Sequence, residues 1–205
     1  MTEFQYDILQ NITDFMEKSG GMTGGHMKRT GRYIGLFLDL FMKVNLFPQV
    51  ILSWDRDSFI RSALLHDLGK ISVRNSILFK PGRLTRAEFE EMKTHTLRGI
   101  EIFKELQDHN SGNTLKYAKI CIGTHHEWWD GSGYPNGLKG RQIPLQGRIM
   151  AIVDVYDALI SKRPYKKPFN HKEAVKLIMQ GRGSHFDPLL ADLFQAGSDR
   201  FAEAS

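Results

Sequence analysis

Cysteine is almost missing from this chain of 205 residues, where Cys121 stands alone. That excludes an intrachain disulfide and a zinc site built from cysteine pairs, and the neighbours Ile120 and Ile122 mark a buried structural thiol rather than a reactive one. Long apolar runs are missing too. No stretch approaches the roughly 18 to 20 residues that a bilayer-crossing helix needs, and the N-terminus lacks the basic, apolar and small-residue succession of a secretory leader. The expected location is therefore the cytoplasm. Strand-like alternation, internal repeats, low-complexity tracts and linkers are also lacking, which leaves one helical domain over 1–205 as the expected organisation. Charge is only mildly one-sided. A net +5 is compatible with an anionic ligand and equally with plain solubility, so a nucleic-acid polymer is not an expected partner. With 41% hydrophobic and 25% charged residues, the chain can bury a core of ordinary size.

What is present is helical periodicity. Phe4, Ile8, Ile12 and Phe15 recur at helical spacing and stop at Gly20-Gly21, and Tyr33, Phe37 and Phe41 mark a second helix leading to Pro48. A third is expected from about Ser58 to Leu68, with Phe59, Ala63 and Leu64 facing the core and His66-Asp67 in its last turn before Gly69. Thr85 followed by Glu88 is a capping box, and the helix it opens is expected to carry His95 in its middle. A fifth helix from about Thr114 ends with His125-His126. A turn-rich stretch with Gly131, Gly133, Pro135, Gly137, Gly140 and Pro144 follows, then an apolar helix from Arg148 to Ile160 that holds Asp154. Two short helices, 171–180 and 188–195, close the chain.

The histidines and aspartates carry the chemistry. His66-Asp67 and His125-His126 are adjacent pairs far apart in sequence, with His95 between them and Asp154 beyond. Imidazole and carboxylate are ligands of first-row transition metals. Neighbouring side chains on a helix diverge by roughly 100°, so a doublet facing one pocket can feed two ions, and the pattern reads as a di-metal site. Taken singly, His95 could be a satisfied core histidine, and Asp154 could make a buried salt bridge or cap a helix. The doublets argue otherwise, because burying such pairs without a cation leaves polar groups that cost about 1 to 3 kcal/mol each. His109 and His171 read as surface residues.

The motifs resemble those of the HD-GYP domains, a branch of the HD superfamily of metal phosphohydrolases. The likeness runs over about 22–188. It rests on His66-Asp67-Leu68-Gly69-Lys70, Lys80-Pro81-Gly82, His125-His126-Glu127, Asp130-Gly131-Ser132-Gly133-Tyr134-Pro135, Arg163-Pro164-Tyr165-Lys166 and Phe186-Asp187-Pro188. The resemblance implies an all-α HD-domain helical bundle, an iron or manganese centre, and a phosphodiesterase that linearises cyclic di-GMP or a related cyclic dinucleotide to pGpG, with a second cut yielding GMP. Carried over by position, the metal ligands fall on His26, His66, Asp67, His95, His125, His126 and Asp154, with Asp67 bridging. A metal-bridging hydroxide would attack phosphorus. Lys70 would meet a phosphate as a point charge, or would simply be a lysine favoured by a helix C-terminus. Arg163 and Lys166 would hold the second phosphate or a guanine edge. Tyr134 would lie near the ligand or pin its glycine-rich loop, and Asp157 would order a neighbouring ligand.

Two departures matter. Where a trinuclear subset has glutamate, this chain has Met22, and a thioether is a poor ligand for a hard divalent ion, so two metals are expected rather than three. Arg141 stands where an acidic residue is common, which bears on contacts of the Gly131 to Gly140 loop with diguanylate cyclase domains. Two other readings share the motifs: a signalling module that binds a dinucleotide or a cyclase with little turnover, and an HD-fold di-iron oxygenase. Sensory domains often precede this family's catalytic domain, so the chain is read as either a free-standing enzyme or part of a longer protein.

Overall fold

Tyr33, Ile34, Phe37 and Phe41 form a buried stripe along α1 (His26–Lys43), the longest helix among the described residues, and this aromatic spine is what the other helices wrap. The computed structural model describes Asp7, Asn11, Ile12, Phe15, and residues 25–105, 112–162 and 167–204. After α1 come α2 (Pro48–Leu52), α3 (Arg56–Ala63), a 3-10 helix (Leu68–Ser72), α4 (Asn75–Leu78), α5 (Arg86–Lys93), α6 (His95–Glu105) and α7 (Asn113–Thr124). A second 3-10 helix (Gly140–Gln142) leads to α8 (Leu145–Ile160), α9 (His171–Gln180), α10 (Pro188–Ala196) and α11 (Ser198–Glu203). Among the described residues there is no strand, only a bridge between Arg182 and Phe186. No helix among them is long and apolar enough to cross a membrane.

The main core gathers Phe59 of α3, Tyr117 of α7, Ile152 and Tyr156 of α8, and Phe194 and Phe201 around the α1 spine. Each such side chain contributes about 1.5 to 3 kcal/mol on burial. A smaller cluster of Leu65, Leu68, Phe103, Leu115, Ala118 and Ile122 fills the space where the first 3-10 helix, α6 and α7 meet. Cys121 is fully buried, and burial pushes its thiol up to about 12, so it is an inert part of the core.

Two glycines bring the segments carrying histidine and aspartate together. A Cβ on Gly69 would fall 1.8 Å from the His95 carbonyl oxygen, so only glycine lets the turn carrying Asp67 lie against the start of α6. A Cβ on Gly147 would fall 2.0 Å from Thr124 Oγ1, which lets the end of α7 close on α8.

Several boundaries differ from the sequence reading. Helix α3 stops at Ala63, and His66-Asp67 lies beyond it in a tightened turn whose amides bond three residues back, as in Leu65 to Ser62 and His66 to Ala63. The Thr85 capping box is present, but its helix ends at Lys93, and His95 is the first residue of α6 rather than the middle of α5. Thr94 makes the break: its hydroxyl and its amide both donate to the Glu91 carbonyl, drawing the chain inward. Helices α2, α4 and α11 have too little periodic pattern to be seen in the sequence. Asp7, Asn11, Ile12 and Phe15 are helical, while Phe4, Ile8, Gly20, Gly21, Met22 and His109 lie outside the described residues.

Candidate metal centre

Each donor reaches one pocket from a helix end or from the face of α8. His26 opens α1, His66 and Asp67 occupy the turn after α3, His95 opens α6, His125 caps α7 with His126 following, and Asp154 projects from α8. Two groups result. Asp67, His95, His125 and His126 place one donor atom each within 4.8 Å of one another, and so do His26, His66 and Asp67. Asp67 belongs to both. Asp154 completes the second group, its Oδ1 lying 3.5 Å from His26 Nε2 and 3.8 Å from His66 Nε2.

The hydrogen bonds prepare these side chains as donors. Nδ1 of His66 lies 2.7 Å from the Ala63 carbonyl, that of His95 2.7 Å from the Met92 carbonyl, and that of His125 2.8 Å from the Cys121 carbonyl. A carbonyl only accepts, so each ring carries its proton on Nδ1 and presents the Nε2 lone pair to the pocket. His26 is held through Nδ1 by Asp157 Oδ2 at 2.7 Å, and Asp157 is itself clamped by Arg29 at 2.5 Å. Asp67 Oδ1 is buried without a hydrogen-bond partner, while His95 Nε2 and His125 Nε2 face it at 3.5 and 3.8 Å. An orphaned carboxylate oxygen ringed by lone pairs is unfavourable on its own. A divalent cation satisfies it, so the residues fit the group that the motif demands.

Electrostatics agree. Burial drives His125 well below the ordinary imidazole range and His126 down to about 3, and burial also lowers His95, so these rings are neutral donors at pH 7. Burial opposes charge on His66 as well, but Asp67 and Asp154 outweigh it and raise His66 to about 10. Both carboxylates are nonetheless held well below their usual range: for Asp67 the attraction of Lys70 and His66 overcomes burial, and for Asp154 the hydrogen bond and charge of His66 do so. The pocket is a nest of negative charge and lone pairs that attracts cations, and the Lys70 ammonium lies 2.5 Å from Asp67 Oδ2.

The turn-rich loop covers one side. Tyr134 stacks on His126 with centroids 4.7 Å apart, and burial raises its phenol. Glu127, 1% exposed, accepts the amides of Asn136 at 2.7 Å and Leu138 at 2.9 Å, tying the loop to the His125-His126 doublet. The loop also leans on the turn before α10, where Trp129 and Asp130 donate their amides to His185 and Ser184. Arg163 and Lys166 lie outside the described residues. Arg141 is exposed on the second 3-10 helix. His171 is only half-buried but not free, its Nδ1 lying 2.8 Å from the Tyr156 hydroxyl. Sequence reading passed over Arg29 and His185, and quoted Glu127 in a motif without giving it a part. Arg29 could have been found, since it lies one turn from His26 on the same helix face, whereas nothing local shows that Glu127 points inward.

The family model described as HD domain matches residues 50–190. Over 205 residues the chain is 42% identical to a probable cyclic di-GMP phosphodiesterase of Vibrio cholerae, covering 99% of this chain and 46% of that protein. It is 35% identical to a 3'3'-cGAMP-specific phosphodiesterase 2 of Vibrio cholerae, covering 98% of this chain and 36% of that one. A crystal structure of a cyclic GMP-AMP specific phosphodiesterase from Vibrio cholerae shares the fold, with TM-score 0.62 and 20% identity over 96% of this chain and 49% of that chain. The chain spans less than half the length of these relatives. It belongs to the HD domain family, in its HD-GYP branch, whose fold implies dependence on a divalent metal.

Proposed function

We propose that this chain is a cytoplasmic metal-dependent phosphodiesterase that opens cyclic dinucleotides, cyclic di-GMP foremost, to the linear dinucleotide. The observation that carries this reading is Asp67, a carboxylate common to two donor groups with one oxygen facing His95 and His125 and the other facing His66 and Lys70. In this reading His95, His125, His126 and Asp67 hold one divalent cation, and His26, His66, Asp154 and Asp67 hold the other. Imidazole with carboxylate suits iron or manganese. Such a pair of cations supplies Lewis acidity toward the phosphoryl oxygens and acidifies a water.

The chain's own groups do the rest. Asp157 keeps the His26 proton on Nδ1. Lys70 exchanges its contact with Asp67 for a non-bridging phosphate oxygen and offsets charge as it builds there. Tyr134 and the loop fixed by Glu127 shield the pocket beside His126. Arg163 and Lys166 keep their assigned part at the second phosphate or a guanine edge. Relatives named for cyclic di-GMP and cGAMP support the substrate class. The di-iron oxygenase reading gains nothing from them, and it leaves Lys70 in the pocket without a purpose.

The test is to purify the protein without oxygen, measure metal per chain, and follow pGpG and GMP on incubation with cyclic di-GMP. Two metals, and product that vanishes in Asp67→Ala, are the expected result. Two metals with saturable binding but no product would favour the low-turnover signalling module, and a metal-free protein would remove the reading.

A further inference from the structure

Beside the metal centre stands an aromatic ledge that the reaction as described does not use. Phe89 of α5 is 47% exposed and meets Tyr134 edge-on, with centroids 6.3 Å apart and planes at 83°. Lys93, one helical turn along α5, sets its Nζ 5.6 Å from both ring centroids. Its side chain is 26% exposed and is steadied by Glu90 at 2.7 Å. Tyr134 in turn stacks on His126 and lies 6.5 Å from His95. The ledge is therefore continuous with the donors of the pocket.

A lone exposed phenylalanine means little. This one shares a cation with the tyrosine that lies over the centre, and its edge-on contact leaves ring surface open to solvent, where a planar ligand can lie. Resting on the phosphodiesterase reading, we infer that Phe89 is a stacking platform for one purine of the substrate and that Lys93 reads that purine as guanine. The chemistry supports both halves. A base joined through its ribose to the scissile phosphate has to lie next to the centre, and aromatic rings hold any purine through its π-face. Guanine presents two adjacent acceptors, O6 and N7, to an ammonium, whereas adenine presents N7 beside a donating amine. Lys93 thus favours guanine on this ledge and repels the adenine amine.

The test uses the metal-loaded protein with cyclic di-GMP, cyclic di-AMP, and a cyclic dinucleotide carrying 2-aminopurine, whose fluorescence falls when the base stacks. Phe89→Leu is expected to raise KM for cyclic di-GMP on the order of 5- to 100-fold at unchanged kcat, and to abolish the quench on mixing, while Phe89→Trp restores both. Lys93→Met is expected to raise KM for cyclic di-GMP roughly tenfold and to lower, not raise, that for cyclic di-AMP. The inference is overturned if Phe89→Leu matches wild type in KM and quench, or if Leu and Trp variants alike lose kcat and bound metal, which marks a prop for the loop. Hydrolysis that persists with a Phe89-independent KM sinks the ledge alone. A Phe89-dependent quench without any hydrolysis keeps the ledge and sinks the phosphodiesterase reading.

Discussion

Asp157 and His26 face each other across the start of α1, Oδ2 to Nδ1 at 2.7 Å, although 131 positions separate them in the chain. Arg29 closes the arrangement from the other side, with its Nε 2.5 Å from Asp157 Oδ1. The buried carboxylate thus fixes the tautomer of the imidazole that would hold one cation, and Arg29 neutralises the carboxylate.

Asp157→Asn keeps the shape and removes the charge. Loss of the partner that orients a ligating histidine typically costs 10- to 100-fold in metal affinity or activity. The expected outcome is a protein that folds, binds its second metal more weakly by about that factor, and regains turnover as metal is raised. Metal titration monitored by activity checks it. Unchanged affinity would show that His26 needs no such support.

Gly69 carries the second prediction. With its Cβ position 1.8 Å from the His95 carbonyl, Gly69→Ala must push the turn carrying Asp67 away from α6. Overpacking of this kind costs about 1 to 3 kcal/mol and sometimes more, so the denaturation midpoint should fall and metal content with it. A variant as stable and as metal-rich as wild type would mean that the turn can relax at no cost.

These relationships show which parts of the molecule were legible in the chain. The donors His66, Asp67, His95, His125, His126 and Asp154 were visible as residue types in an unusual pattern, and the long helices were visible because their apolar stripes repeat every three to four residues. The turn at His66-Asp67 was not, because Leu64, Leu65 and Leu68 continue the apolar pattern of α3 past its real end, and only the shift to bonds three residues back reveals the change. The break at Thr94 was hidden in the same way, since one hydroxyl bonding backwards leaves periodicity intact. Glu127 was legible only as part of a motif, because burial of a carboxylate is decided by partners remote in sequence, and Asp157 was assigned the ordering of a neighbouring ligand without its partner, His26, being visible.

His185 supplies a pH prediction. It is sandwiched between Trp128 and Phe186, with centroids 4.3 and 4.1 Å away, and burial lowers it to about 4 although Asp154 and Asp130 pull upward. The folded value lies below the unfolded one near 6.5, so the stabilisation is complete above pH 6.5 and is lost as pH falls toward 4. The full span is on the order of 3 kcal/mol. His185→Phe keeps the stack without the titration. Plotted against pH, the stability difference between wild type and variant should slope between about 6.5 and 4. A flat difference would mean that His185 does not titrate in this range in the folded protein.

Glu127 gives the last prediction, and it separates charge from shape. Its two oxygens each accept a backbone amide, from Asn136 and Leu138, on the far side of the loop that carries Tyr134. Glutamine is the same size but replaces one acceptor with a donor, so Glu127→Gln sets an NH2 group against a backbone N–H. One buried amide is then left unsatisfied, at a cost of about 1 to 3 kcal/mol. Because the donors of the pocket lie elsewhere, metal content should hold while the loop loosens: kcat falls, KM rises, and hydrogen exchange at Asn136 and Leu138 accelerates. Glu127→Asp keeps both acceptors on a shorter stem, and should recover part of the protection if reach is adequate. Loss of metal together with activity in Glu127→Gln would show instead that the carboxylate supports the His125-His126 doublet directly.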